Sequence, residues 1–298
     1  MRVITRGDMD GMTSTVLLSL VENVTEVAFS HPKDMQDGKM AVNENDIIVN
    51  LPYAKGCGMW FDHHSSEETK MPEFGAFKGR FAKAPSAAHV INDYYKNPAF
   101  EQFKDLLQAT DRLDSANLTP EDVTSPSGWI LLGLTLDPRS GLAMEFRTYF
   151  RWLVGYVKEM PLEKVLQHQE VLKRCQRVLQ EQDEFKKLLK EYSHQEANVI
   201  ITDLRGVRQM PAGNRFLVYT MYPKANVEVR IFPGMLDNTV VAVGHSIFNR
   251  TCKVNLGKLM AEYGGGGLPG AATCQLHDEE ADAKIAEIVG RLKETQTL

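Results

Sequence analysis

The sequence predicts an α/β protein in two parts, a parallel-sheet N-terminal domain joined by a long helix to a smaller α+β domain with a mixed sheet. Three observations predict it. Up to residue 113, short β-branched runs such as Ile47-Ile48-Val49 alternate with amphipathic stretches, as in a parallel sheet covered by helices. Residues 162–192 form a charged stretch in which Val165, Leu172, Val178, Leu179, Phe185 and Leu188 make one buried stripe. After Ser193 the runs become short and β-rich, separated by Gly, Pro or Asn. A chain of 298 residues is long for one core, and the expected divisions are 1–160, a connector at 161–193, and 194–298.

In chain order, residues 3–5 read as a first strand and 13–23 as a helix with Val16, Leu17 and Leu20 on one face. Residues 24–29 read as a second strand, followed by a polar turn at His31-Pro32-Lys33-Asp34 in which Lys33 is a solvated loop lysine. Ile47-Ile48-Val49 reads as an interior strand ending at Asn50, and residues 57–61 as the next. Ser86 is placed to cap a helix running through Tyr95, on which His89 is a surface or core histidine. A further helix at 100–113 carries Asp111 toward the strand ends. Residues 125–129 read as a turn before an apolar stretch at 130–136, and Arg139 is read as structural. The aromatic residues between 142 and 157 read as core, because a base-stacking groove also needs a basic track. In the last third, strands are expected at 198–202, 216–221, 227–232, 239–243 and 272–276, with helices at 256–263 and 279–292.

Residues that carry chemistry gather where strands end. In Met59-Trp60-Phe61-Asp62-His63-His64 an apolar strand breaks into a carboxylate and two imidazoles, at the sheet edge where open α/β folds bind ligands. Asp and neutral His together suit a divalent ion. In Arg6-Gly7-Asp8-Met9-Asp10-Gly11, Asp8 and Asp10 are one residue apart, so on a strand end both carboxylates face one side and call for a positive charge between them. The run Gly264-Gly265-Gly266-Gly267-Leu268-Pro269-Gly270 lets backbone amides approach an anion closely.

Composition excludes several classes. The chain is 43% hydrophobic and 24% charged, ordinary for a folded soluble protein. Its formal charge of −5 argues against a surface for long duplex nucleic acid, whose binding needs many Lys and Arg. Cys57, Cys175, Cys252 and Cys274 have no paired spacing and read as reduced thiols. The N-terminus enters a strand at once, so no signal peptide is expected, and no apolar run approaches the ~20 residues needed to span a bilayer. A cytoplasmic location follows, with no membrane partner.

Together, in this order, the three motifs resemble the DHH family of phosphoesterases with its accessory DHHA1 domain. The likeness covers nearly the whole chain and is nearest to the exopolyphosphatase-related and short-oligonucleotide phosphodiesterase-like proteins. Asp62-His63-His64 matches the named motif, Asp8 and Asp10 the first acidic motif, and Gly264 to Gly267 with Gly270-Ala271 the glycine motif. Three positions depart from the family: Arg6 replaces a metal-binding His or Asp, Asn50 replaces a bridging aspartate, and Leu268 replaces a His after the glycines. A guanidinium has no lone pair for a metal, and a neutral amide cannot share charge between two cations.

The resemblance implies a metal-dependent hydrolase of a small phosphodiester or phosphoanhydride: a short oligonucleotide, dinucleotide, nucleoside bisphosphate or polyphosphate. By resemblance, one metal uses the position of Arg6, Asp8 and the bridge at Asn50. The other uses Asp10, the bridge, His63 and a later aspartate, with Asp111 the first choice and Asp114 the alternative. The expectation is therefore one Mn²⁺ or Mg²⁺ ion rather than two, with Arg6 near the place of the missing cation. Asp62 either orients His63 or ligates the ion itself. His64 and Arg6 face the substrate. Arg250, Ser246, His245 and the backbone of Gly265, Gly266 and Gly267 hold the substrate in a cleft between the domains. The competing class is a catalytically degenerate nucleotide- or phosphate-binding protein on the same scaffold. Oligomeric state is left open, with a homodimer as the candidate assembly.

Overall fold

The first four strands of the first sheet are short runs rich in apolar residues, too few to bury alone, and helices cover them. The computed structural model describes residues 1–136, 143–235 and 237–294. In chain order come β1 (Arg2–Thr5), α1 (Met9–Val21), β2 (Glu26–Phe29), α2 (Pro32–Gln36), β3 (Asp46–Val49), β4 (Met59–Asp62), α3 (Ser65–Glu68), α4 (Met71–Phe74), β5 (Gly79–Phe81) and α5 (Ala87–Tyr95). A 3-10 turn at Pro98–Phe103 leads into α6 (Lys104–Asp114), then α7 (Pro120–Thr124), α8 (Gly128–Leu134), α9 (Met144–Glu159), α10 (Leu162–Gln167) and α11 (Gln169–Tyr192). The five strands are parallel in the order β2-β1-β3-β4-β5.

The two faces alternate with period two, as strand geometry demands. Val3, Ile47, Val49, Met59 and Phe61 face α1, α5 and the helices beyond. Ile4, Ile48 and Trp60 face Tyr53, Phe74 and Phe77 on the other side. Burying each such side chain contributes about 1.5–3 kcal/mol. The chain reverses direction across the sheet between β1 and β3, and at such a switch point the carboxyl ends of the strands open a crevice.

The second sheet comprises β6 (Ser193–Glu196), β7 (Val199–Asp203), β8 (Val227–Pro233), β9 (Asn238–His245), β10 (Gly266–Leu268) and β11 (Ala271–His277), with α12 (Leu217–Met221), α13 (Leu256–Ala261) and α14 (Asp278–Glu294). Its order is β10-β11-β9-β8-β7-β6, and the β7–β8 pairing is parallel while the others are antiparallel. Val199, Val227, Val229, Val241 and Val243 pack beneath Ile285, Ile288 and Val289 of α14. The chain divides into two compact units, Met1–Leu118 with Pro126–Gln176, and Thr119–Ser125 with Arg177–Leu298. The division falls inside α11.

Several local expectations are corrected. Residues 216–221, expected as a strand, form α12: an apolar run this short reads equally as buried helix, and Asn214 starts the turn by accepting from Phe216 N (3.0 Å). The polar turn at 31–34 carries α2, with the His31 imidazole accepting from Lys33 N. The helix expected over 162–192 breaks at His168, whose extended backbone lets its ring accept from Glu170 N and pack 4.4 Å from Trp152. Strands β5 and β6 are too short and polar to be read from periodicity, and part of the glycine run forms strand β10. The four cysteines are free thiols. Arg139 lies outside the described residues.

Candidate active site

The turn from β1 into α1 presents three of the charged groups. Asp8 caps α1, its Oδ1 accepting from Gly11 N at 2.9 Å. Glycine is required at position 11 because a Cβ there would lie 2.2 Å from the Arg6 carbonyl oxygen. Asp10, in the first turn, is 1% exposed. Both its oxygens are held by another helix: Ala87 N donates to Oδ2 (2.9 Å) and Ala88 N to Oδ1 (2.8 Å). These are first-turn amides of α5, which have no partner within their own helix and favour an anion.

Strand β4 delivers the next group. Its last residue, Asp62, is buried, and its Oδ1 accepts from His64 Nδ1 at 2.8 Å. His63 Nδ1 lies 3.1 Å from the Ala84 carbonyl oxygen. A carbonyl only accepts, so Nδ1 carries the proton and the lone pair of the neutral ring sits on Nε2. That Nε2 faces two carboxylates, Asp114 Oδ2 at 3.1 Å and Asp10 Oδ2 at 3.8 Å, yet it is buried without a hydrogen bond.

The structure thus brings Asp114, and not Asp111, together with Asp10 and His63. Both acids lie on α6, one helical turn apart, and Asp114 is the one at the C-terminal end that reaches the carboxyl edge of the sheet. Asp111 is engaged elsewhere: Ser86 Oγ donates to its Oδ1 (2.6 Å) and His89 Nδ1 to its Oδ2 (2.8 Å). This network, and the amide clamp on Asp10, went unread in the sequence. Ser86 was legible as a cap, but nothing local shows what the capped amides face.

On the other side of the site, Asp8 has no oxygen without a partner. Its Oδ1 also accepts from Asn50 Nδ2 (3.0 Å), and its Oδ2 lies 3.2 Å from Arg6 Nε. Asn50 follows β3 in a left-handed conformation (φ 57°) that Asn tolerates better than most residues. Its amide nitrogen turns to Asp8, leaving the buried Oδ1 without a partner.

The donor set fits a divalent cation. Ligand atoms of Asp10, His63 and Asp114 all lie within 4.8 Å of one another, and those of Asp62, His63 and His64 form a second group of the same kind. Among the described residues, four buried polar atoms at these strand ends lack a hydrogen-bond partner: Thr5 Oγ1, Asn50 Oδ1, Asp62 Oδ2 and His63 Nε2. The electrostatics agree. Burial, with Asp114 nearby, pushes Asp10 up to about 7. Burial likewise raises Asp8, although Arg6 opposes the shift. Burial alone would lower His63, but Asp114 and Asp10 outweigh it and raise the imidazole to about 9. Crowded acids of this kind call for a positive charge among them.

The remaining candidates lie in the second unit. Ser246 is 2% exposed, and its hydroxyl holds a turn by accepting from Phe248 N and Asn249 N. Arg250 is exposed, with Nε donating to the Ile247 carbonyl. His245 Nε2 donates to the Val254 carbonyl (3.0 Å), and burial lowers its pKa. Gly266, Gly267 and Leu268 form β10, where Leu268 is 60% exposed. Gly265 has a packing reason for its identity, since a Cβ would lie 2.1 Å from Thr273 O. Lys33 pairs with Asp37 at 2.6 Å, as a surface lysine.

No family model matches the chain, and no curated protein does. Solved structures do match. One described as a pGpG-specific phosphodiesterase, PggH from Vibrio cholerae, is 32% identical over 98% of this chain and 99% of that one, with a TM-score of 0.87. A DHH domain from a protein described as a member of a family of ribosomal proteins is 14% identical over 98% of this chain and 86% of that one, with a TM-score of 0.55. RecJ from Thermus thermophilus in complex with Mn²⁺ is 13% identical over 98% of this chain and 52% of that one, with a TM-score of 0.50. The last two share the fold alone. An identity of 32% along almost the full length of both chains, with the DHH triplet ending β4 beside two further acids, settles the relationship: the chain belongs to the DHH/DHHA1 family of phosphoesterases.

Proposed function

We propose that the protein hydrolyses a short linear dinucleotide of the pGpG type, using one divalent ion held by Asp10, His63 and Asp114. One observation carries the reading. The His63 ring is fixed by the Ala84 carbonyl so that its Nε2 lone pair faces two carboxylates, an arrangement that only a proton or a cation makes favourable. The substrate class is supported by the likeness to a phosphodiesterase described as pGpG-specific. A single ion is supported by Arg6 and Asn50, which already satisfy Asp8. Mn²⁺ is the ion to test first, because a fold neighbour is described with it.

When bound, the ion supplies Lewis-acid polarisation of a phosphoryl oxygen and a water of lowered pKa. The chain's own groups do the rest. Asp62 orients the His64 ring by accepting from Nδ1, which leaves Nε2 on a side chain 39% exposed to meet substrate. From there His64, once protonated, donates to the departing 3′ oxygen. Water adds to phosphorus and releases its proton to solvent, the P–O3′ bond breaks, and two nucleoside 5′-monophosphates leave. Arg6, paired with Asp8 but 32% exposed, stabilises charge on the nonbridging oxygens. Within the second unit, taken by itself, Arg250 and the backbone amides around Gly266 are proposed to contact an anion. A homodimer and a cytoplasmic site of action belong to the same proposal. Among the described residues no helix is long and apolar enough to cross a membrane.

The test is a turnover panel with Mn²⁺: pGpG, other linear dinucleotides, longer oligonucleotides, nucleoside bisphosphates and polyphosphate, with His63→Ala as control. The expected result is conversion of pGpG to the monophosphate, abolished in the variant. The paired Arg6 and Asn50 favour one other reading, a degenerate binding protein. Calorimetric binding of pGpG without metal and without product would establish that reading instead.

A further inference from the structure

We propose that Ser86, His89 and Asp111 form a positioning lock that sets the two acids of the metal triad relative to each other. The inference rests on the reading that Asp10, His63 and Asp114 hold the ion. Asp10 owes its orientation to the first turn of α5, through Ala87 N and Ala88 N. Asp114 is carried by α6. The lock ties these two elements together: Ser86 Oγ donates to Asp111 Oδ1 (2.6 Å), and His89 Nδ1 donates to Asp111 Oδ2 (2.8 Å).

The same Ser86 oxygen accepts from His89 N (3.0 Å), so one hydroxyl both caps α5 and reaches α6. Ser86 is completely buried. Asp111 stands one turn before Asp114 on the same helix, and any displacement of Asp111 carries Asp114 with it. A carboxylate has about four lone-pair sites, and Asp10 Oδ2, the oxygen that faces His63, accepts only the Ala87 amide and so keeps a site for a cation, while Oδ1 accepts from Ala88 N and Ser14 Oγ. The α5 amides therefore aim Asp10 without using it up. Asp111, whose oxygens turn to Ser86 and His89 while Asp10 and Asp114 gather at His63, serves the site through those contacts and not as a ligand.

Mn²⁺ titration calorimetry on the full chain separates these roles, with circular dichroism as the folding control. Ser86→Ala and Asp111→Ala are expected to weaken Mn²⁺ binding by about 10–100-fold while keeping one ion per chain, as loss of a group orienting a ligand does. Ser86→Thr, which keeps the hydroxyl, is expected within about twofold of the parent chain. Asp114→Ala is expected to lose tight binding. Parent affinity in both Ser86→Ala and Asp111→Ala would overturn the lock, and so would loss of the ion in Asp111→Ala with binding retained in Asp114→Ala. If the alanine variants do not fold, Asp111→Asn decides, because its amide offers one accepting oxygen where Ser86 Oγ–H and His89 Nδ1–H each need one: at least tenfold weaker binding supports the lock and parent affinity overturns it. A parent chain that takes up no Mn²⁺ would remove the underlying reading itself, a different result from the loss of the lock alone.

Discussion

The two oxygens of Asp8 take Gly11 N, Asn50 Nδ2 and the Arg6 guanidinium, and this is how a carboxylate in an acidic motif is satisfied without a metal. Exchanging those partners tests the point. Arg6→His with Asn50→Asp supplies an imidazole and a bridging carboxylate, and is expected to raise tightly bound Mn²⁺ from one ion per chain to two, counted by elemental analysis after gel filtration. Two ions in the parent chain would refute the single-ion reading. A second residue-scale case lies away from the site. Arg2 holds Asp46 bidentately at 2.8 and 2.9 Å, and Asn43 N adds a third contact. Burial alone would raise the Asp46 pKa, but these partners outweigh it and hold the carboxyl below its usual value. A lowered folded-state pKa gives stability that is complete above the unfolded value of about 4 and is lost as pH falls through the folded value. Asp46→Asn is therefore expected to cost about 2 kcal/mol at pH 7, with the gap narrowing toward pH 3, read from urea midpoints at both pH values.

At the scale of elements, the same glycines that let a sequence be read as an anion-binding loop have a second duty. Gly265 passes so close to β11 that a methyl group would meet Thr273 O at 2.1 Å and Cys274 Cα at 2.6 Å, both part of the backbone. Gly265→Ala is expected to destabilise the second unit by about 1–3 kcal/mol while leaving Mn²⁺ stoichiometry unchanged, seen as a lower thermal midpoint with normal metal titration. Elements with strong periodicity were legible from residues alone: β3, β4 and α5 stand within a residue or two of where alternation and capping put them. Residues 216–221 were not, because so short a run carries no period that separates strand from helix, and in the fold Leu217, Val218 and Tyr219 are buried one after another, as in a buried helical turn. Strand β5 was invisible for the opposite reason. Gly79-Arg80-Phe81 has little hydrophobic signal and is a strand because the edge of β4 offers it hydrogen bonds.

For the whole molecule, charge is the property with the broadest reach. A formal charge of −5 leaves attraction for phosphate to local groups such as Arg6, and long duplex DNA is expected not to be retained in a gel shift at physiological salt. Retention of the duplex would overturn this expectation. The sequence by itself determined the parallel sheet, the second mixed sheet, the family, and most of the charged groups at the strand ends, because alternation, turn residues and the Asp-His-His triplet are local signals. Only the tertiary structure decided which acid joins His63. Asp111 and Asp114 sit on the same face of one helix, and the choice between them depends on how far that helix reaches along the sheet and on the partners that α5 offers Asp111. Those are distances between segments remote in the chain, which no local pattern encodes.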